Sequence, residues 1–209
     1  MHSDNPGHRV TDLAALEQIY GAPNPNSIRK EVPYLHPHYR AFIDASPFAI
    51  LATSGPGGLD ASPKGDAPGF VTVEDEKTLL IPDRRGNNRI DGLRNLITDP
   101  RVSLIFLIPG VGETLRVIGR AEITVDPALL ARFAIDGKEP RSVLVVHIES
   151  VYFHCSKAIL RSKLWDPARH VDRKSLPSAG DILSALTDAE VDGARYDREL
   201  PERLKTGLY

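Results

Sequence analysis

Between Pro47 and Phe153 the sequence is a succession of short β-type runs separated by turn residues. Phe48–Thr53 and Leu59–Lys64 flank Ser54-Gly55-Pro56-Gly57-Gly58, a turn built from residues that tolerate tight backbone geometry, and so form a hairpin. Phe70–Val73 and Thr78–Ile81 are joined by Glu74-Asp75-Glu76-Lys77. Val102–Ile108 is continuously apolar, as in a strand buried on both faces. It turns through Pro109-Gly110-Val111-Gly112 into Thr114–Val125, where Gly119 permits a strong bend. Asp126-Pro127 starts a short helix, and Ser142–Phe153 is the last strand. A chain with about six strands at this spacing, and one helix between two of them, is expected to be mainly β with peripheral helices (α+β), built on a small antiparallel barrel.

Outside this region the pattern is helical. Thr11 is placed to cap a helix over Asp12–Tyr20, stopped by Gly21-Ala22-Pro23, and residues 22–31 read as a surface linker. His38–Ala45 predicts a second short helix. His36-Pro37-His38 lacks a nearby carboxylate or third histidine, so these are surface histidines and no metal site is expected. After Asp166-Pro167, a helix over Ala179–Ala189 precedes a charged tail. The organisation expected is an N-terminal helical extension (1–45), a barrel domain (46–166) and a C-terminal helical extension (167–209).

Composition narrows the function. A net charge of −2 argues against a general nucleic-acid binder, which holds phosphate backbones with surplus Lys and Arg. The single cysteine, Cys155, rules out an internal disulfide and a cysteine zinc cluster; following an apolar strand, it reads as a small buried hydrophobe rather than a nucleophile. Met1–Pro6 shows no basic region leading into an apolar run, and Val102–Pro109 falls far short of the ~20 apolar residues of a membrane helix. A cytoplasmic protein without a membrane partner is expected.

One stretch carries chemistry. The strand Thr78–Ile81 runs through Pro82-Asp83 into a polar turn holding Arg84, Arg85, Asn87, Asn88 and Arg89. A helix follows in which Ile90, Leu93, Leu96 and Ile97 share a face. First-turn amides without helical partners, at the positive end of the dipole and next to fork-shaped guanidiniums, form a seat for a phosphate. Lys64, at the end of an earlier strand in Ser62-Pro63-Lys64-Gly65-Asp66, can add a cation. A carboxylate such as Asp66 or Asp83 repels a phosphate unless it orients an arginine.

The order of these segments, followed by His154-Cys155-Ser156-Lys157-Ala158-Ile159-Leu160-Arg161-Ser162-Lys163-Leu164-Trp165 after the last strand, resembles the pyridoxamine 5'-phosphate oxidase-like flavoproteins and their FMN-binding split barrel. The resemblance covers about Pro47 to Trp165 and is most specific from Ser62 to Leu107. It implies a six-stranded antiparallel split β-barrel and a homodimer with two FMN molecules at the interface. Lys64 and the turn Arg84, Asn87, Asn88 and Arg89 would hold the phosphate, and the backbone of Ile81, Pro82 and Asp83 would line the isoalloxazine edge. Lys157, Arg161, Ser162 and Trp165 of the partner subunit would close the site, with Lys157 or Arg161 placed to tune the flavin.

The activity implied is an FMN-dependent oxidoreductase passing hydride between flavin N5 and a small-molecule substrate, with NAD(P)H as a candidate donor. The alternatives are an FMN or haem binding and storage protein, or a deazaflavin-dependent reductase. The Arg-x-His signature with which vitamin B6 oxidases grip their substrate is missing, since Arg169-His170 is adjacent and follows Trp165. Oxidation of pyridoxamine phosphate is therefore not expected.

Overall fold

Alternating apolar and polar residues make strands whose apolar side needs cover, and here one sheet supplies it by curling on itself. A computed structural model describes residues 8–209; the reading of Met1–Pro6 lies outside them. Three helices come first: α1 (Leu13–Tyr20), α2 (Pro25–Arg29) and α3 (Pro37–Ala45). The strands are β1 (Phe48–Gly55), β2 (Gly58–Gly65), β3 (Thr72–Asp75), β4 (Thr78–Asp83), β5 (Arg101–Leu107), β6 (Thr114–Thr124) and β7 (Ser142–His154). Between β4 and β5 lies α4 (Asp91–Thr98), and between β6 and β7 lies α5 (Pro127–Arg132). After β7 come α6 (Lys157–Ser162), α7 (Ala179–Leu186) and α8 (Gly193–Thr206).

All seven strands join one antiparallel sheet in the order β2-β1-β5-β6-β7-β4-β3. The expected count of six is thus seven: β3, a four-residue strand, pairs with β4 as an element of its own. The barrel is not closed by backbone pairing, because β2 and β3 remain as edges. The bend foreseen at Gly119 is a β-bulge, with the β6–β7 register shifting between Ile118 and Gly119. A Cβ at Gly119 would stand 2.1 Å from the His147 carbonyl oxygen, so only glycine lets the strands approach here.

The inner face is apolar throughout. Leu51, Leu79, Leu104, Phe106, Leu115, Val117, Leu144, Val146 and Val151 are all within 2% of complete burial, and Ile43 of α3 plugs the same core. Each such side chain contributes about 1.5–3 kcal/mol of transfer free energy. The N-terminal segment ties onto this barrel through the Val32–Val151 bridge.

Several local readings shift by a few residues. Asp12, not Thr11, caps α1 by accepting from the Ala15 amide. The linker over residues 22–31 contains α2, started by Pro25 with Asn24 as cap. His36 caps α3, its Nδ1 accepting from the His38 amide, which gives this histidine a structural task. The charged tail of the C-terminal helical extension forms α8, which packs against α7; α7 itself starts with a Ser178/Asp181 capping box.

Candidate functional site

The helix α4 fixes the geometry of the site. Its Asn95 is buried, and Nδ2 donates to the Thr53 hydroxyl and to the Gly58 carbonyl, clamping the helix onto the β1–β2 hairpin. The approach is close: a Cβ at Gly55 would fall 2.5 Å from Asn95 Oδ1. Clamped in this way, the start of α4 faces the ends of β2 and β4.

Those two ends are separated by four strands in the sheet order, yet Lys64 Nζ lies 2.6 Å from Asp83 Oδ1. Side chains therefore bridge the split that backbone pairing leaves open. A second bridge runs alongside, from Arg84 Nε to Asp66 Oδ2 at 2.7 Å, with Arg84 Nη1 also donating to the Phe133 carbonyl. Burial pushes the Asp66 carboxyl up, but hydrogen bonds from the Tyr209 hydroxyl, the Ala67 amide and Arg84 outweigh it and hold the group below its ordinary range.

Around these bridges is a cavity of about 770 Å³, within the ~300–1,000 Å³ typical of small-ligand sites. It is lined from β2, from the β4 end, from the turn leading to α4 and from the residues that start β7. Five cationic side chains (Lys64, Arg84, Arg85, Arg89, Arg141) and three carboxylates (Asp60, Asp83, Asp91) line it, an excess of two positive charges. It favours an anion.

Of the residues anticipated, Lys64, Asp83, Arg84, Asn87, Asn88 and Arg89 are brought together on this wall. Their state differs from the simplest picture of free donors: Lys64 is paired with Asp83, Arg84 with Asp66, and Arg89 with Asp91 at 2.5 Å. Asp66, Asp83 and Asp91 thus act as orienting partners for cations. The helix starts at Asp91, and Ile90 at its cap position supplies no side-chain hydrogen bond. Asn87 instead closes a local turn by accepting from the Arg89 amide, and Asn88 takes a left-handed backbone conformation (φ 60°).

Ile81 and Pro82 are buried in β4 and do not line the cavity with side chains. Pairing of β3 with β4 ends at Thr72–Leu80, so Ile81, Pro82 and Asp83 run past it with only β7 as ladder partner. Pro82 has no amide hydrogen to lose there.

Lys157, Arg161, Ser162 and Trp165 lie apart from this wall. The first three belong to α6, with Ser162 Oγ donating to the Ile159 carbonyl, while Trp165 Nε1 donates to the Val111 carbonyl and pins the segment to the β5–β6 turn. None of the four lines the cavity of its own chain. Cys155, read as buried, is exposed, because β7 ends one residue earlier.

Sequence reasoning missed Arg141. It precedes β7, and its amide donates to the Asp83 carbonyl. Only the β4–β7 pairing, Asp83 opposite Ser142, brings it to the site; nothing in its local sequence marks it. Among the described residues, the side chains of Arg85 and Arg141 make no ion pair or hydrogen bond.

A second, largely apolar cavity of about 490 Å³ lies beneath the N-terminal helices, between Tyr39, Phe42 and Phe153. Beside it, on the outer face of β6 and β7, Arg116 Nη1 donates to the Tyr152 hydroxyl, while Arg116 Nε and His154 Nε2 are buried without a hydrogen-bond partner among the described residues. Burial, followed by the charges of Arg116 and Lys30, pushes the His154 imidazole below its ordinary range.

Residues 35–155 match the sequence profile of the family described as pyridoxamine 5'-phosphate oxidase. Similar solved structures include HupZ of Group A Streptococcus (21% identity, 56% of this chain and 90% of that one, TM-score 0.44). Another is a protein from Clostridium acetobutylicum related to general stress protein 26 (15% identity, 56% and 86%, TM-score 0.44). A third is an F420 reductase (19% identity, 55% and 94%, TM-score 0.39). No curated protein matches the chain in sequence. The profile match spans well over half of the chain and takes in all seven strands of the sheet, and on that ground the chain belongs to the pyridoxamine 5'-phosphate oxidase family.

Proposed function

We propose that the chain is an FMN-binding oxidoreductase that works as a homodimer, with the flavin phosphate seated in the 770 Å³ cavity at the split of the barrel. The observation that carries this reading is the convergence of β2, β4 and the start of α4 on one wall with two surplus positive charges, Arg85 and Arg141 among them unpaired. The donor set suits a phosphate: guanidiniums, a lysine and two amide side chains within one concave surface.

FMN, when bound, supplies the hydride chemistry at N5. The chain's own residues would do the rest. Lys64, Arg89, Asn87, Asn88 and Arg84 hold the phosphate, with Asp66 and Asp83 keeping Arg84 and Lys64 in place. The backbone of Ile81, Pro82 and Asp83, unpaired toward β3, meets the polar ring edge. Lys157, Arg161, Ser162 and Trp165, which are not on the cavity wall of their own chain, fit a role on the site of a second copy. The flavin-binding unit is residues 46–166, flanked by the two helical extensions, and a cytoplasmic location suits it. No histidine or cysteine lines the cavity among the described residues, so an iron in a haem would find no such ligand on this wall.

The test uses the flavin-free protein titrated with FMN, following quenching of flavin fluorescence. Lys64→Ala combined with Arg89→Ala is expected to leave a folded dimer and to weaken FMN by at least about tenfold, the loss of roughly one charge-assisted hydrogen bond. Unchanged affinity overturns the placement. Anaerobic reduction of the bound flavin by NADH or NADPH separates turnover from storage: a flavin that neither donor reduces, and that no acceptor turns over, is stored.

A further inference from the structure

The helix α1 presents an apolar stripe that its own chain leaves uncovered. Leu13, Leu16 and Tyr20 fall on one side of it at helical spacing, with Ile19 at the border, and they are 75%, 42%, 79% and 64% exposed. None of its residues is buried, and Glu17, beside the stripe, is its one charged residue. A helix of eight residues is marginal by itself and draws its stability from packing an amphipathic face, so this one calls for a partner surface.

An apolar wall of matching character lies one element further along the chain. The cavity of about 490 Å³ is walled by Val32, Tyr39, Phe42 and Phe153, and no residue of α1 lines it. That wall is held in place: the Tyr39 hydroxyl donates to the Lys30 carbonyl at 2.7 Å, and Val32 pairs with Val151 of β7. At the rim, Arg29 and Lys30 make no ion pair among the described residues, and Glu113 is the one carboxylate there. The stripe is thus apolar with a carboxylate at its border, and the cavity is apolar with surplus positive charge at its border. Two copies related by a twofold axis can exchange these elements so that each stripe meets one cavity and neither surface is left over.

We propose that α1 docks in the apolar cavity of a second copy of this chain, with Leu13, Leu16 and Tyr20 inward and Glu17 against Arg29 and Lys30. This rests on the homodimer of the reading above and names one of its contacts. It is independent of which ligand fills the cationic cavity, since no residue lines both cavities.

The experiment puts a photo-reactive side chain on the stripe of the full chain, Leu16→benzoylphenylalanine, and illuminates it at a concentration where sedimentation shows a dimer. The expected product has twice the chain mass under denaturing conditions, with its link mapped by mass spectrometry to residues 32–42 or to Phe153. Glu17→Lys in the same chain is expected to lower that yield by at least about threefold, and Arg29→Glu added to it is expected to restore the yield. A link of single-chain mass to those residues means that α1 folds onto its own cavity and overturns the proposal. A doubled product linked elsewhere, a yield indifferent to both charge changes, or no link at all, whether or not the cavity takes up laurate as an amphipathic anion, also overturns it. These outcomes leave the dimer standing, whereas a wild type that stays monomeric at every concentration overturns the homodimer reading and this inference with it.

Discussion

Tyr209 donates its hydroxyl to Asp66 Oδ1 at 2.7 Å, a contact between residues 143 positions apart, while its ring lies 5.2 Å from the Arg84 guanidinium. The same Asp66 accepts from Arg84. The C-terminal segment is thereby latched to the cation at the rim of the cavity. One carboxylate serves both contacts, and this is why it stays ionised despite its burial.

The latch can be read directly. Burial raises the Asp66 carboxyl, and the Tyr209 hydroxyl is the largest of the opposing contributions. Tyr209→Phe keeps the ring and removes the hydroxyl, so the Asp66 pKa is expected to move up, and Arg84→Gln is expected to move it in the same direction. Carboxyl-carbon NMR titration checks both. Because the native pKa is depressed, the stability it confers is present above the ordinary aspartate range near pH 3.9 and fades as pH falls below it. That acid-side loss is expected to shrink in Tyr209→Phe.

The bulge at Gly119 admits no side chain without movement of two backbones. Gly119→Ala places a methyl against the His147 carbonyl, and the cost is expected to be about 1–3 kcal/mol of unfolding free energy. Urea unfolding would show a lower midpoint with an unchanged slope. An unaffected midpoint would mean that β6 and β7 slide apart freely there.

His154 makes a pH prediction of the same sign in a higher pH window. Its native pKa is depressed by burial and by neighbouring cations, so the unfolded chain binds the proton more readily. Its contribution to stability is therefore complete above the unfolded value near 6.5, and it is lost as pH falls from there toward the native pKa. Urea midpoints at pH 7.5 and 5.5 are expected to differ less in His154→Gln than in wild type. If both proteins lose stability in parallel, another group titrates.

Most of the strands were legible because apolar alternation and turn residues are local signals. Val102–Ile108 announces a strand by composition alone, and β5 lies over Arg101–Leu107, but only the alternate residues Val102, Leu104 and Phe106 are buried, so the expected burial on both faces is corrected to one. The short β3 was read two residues early, over Phe70–Val73 instead of Thr72–Asp75, since four residues carry little periodicity. Asn87 has the residue type of a helix cap but closes a local turn three residues before the cap position of α4, which Ile90 holds. That the charged tail packs as α8 against α7 was not legible, because the partner of its apolar side is not revealed by local sequence.

By itself the sequence determined the antiparallel β class, the run of the strands and the segment around Arg84 to Arg89 that carries the cations. Only the tertiary structure decided which carboxylate meets which cation, that Arg141 joins them, and that Tyr209 reaches Asp66. The physical reason is range: backbone propensity and apolar periodicity act over a few residues, whereas Lys64 meets Asp83 only because a seven-stranded sheet twists until its separated strand ends converge.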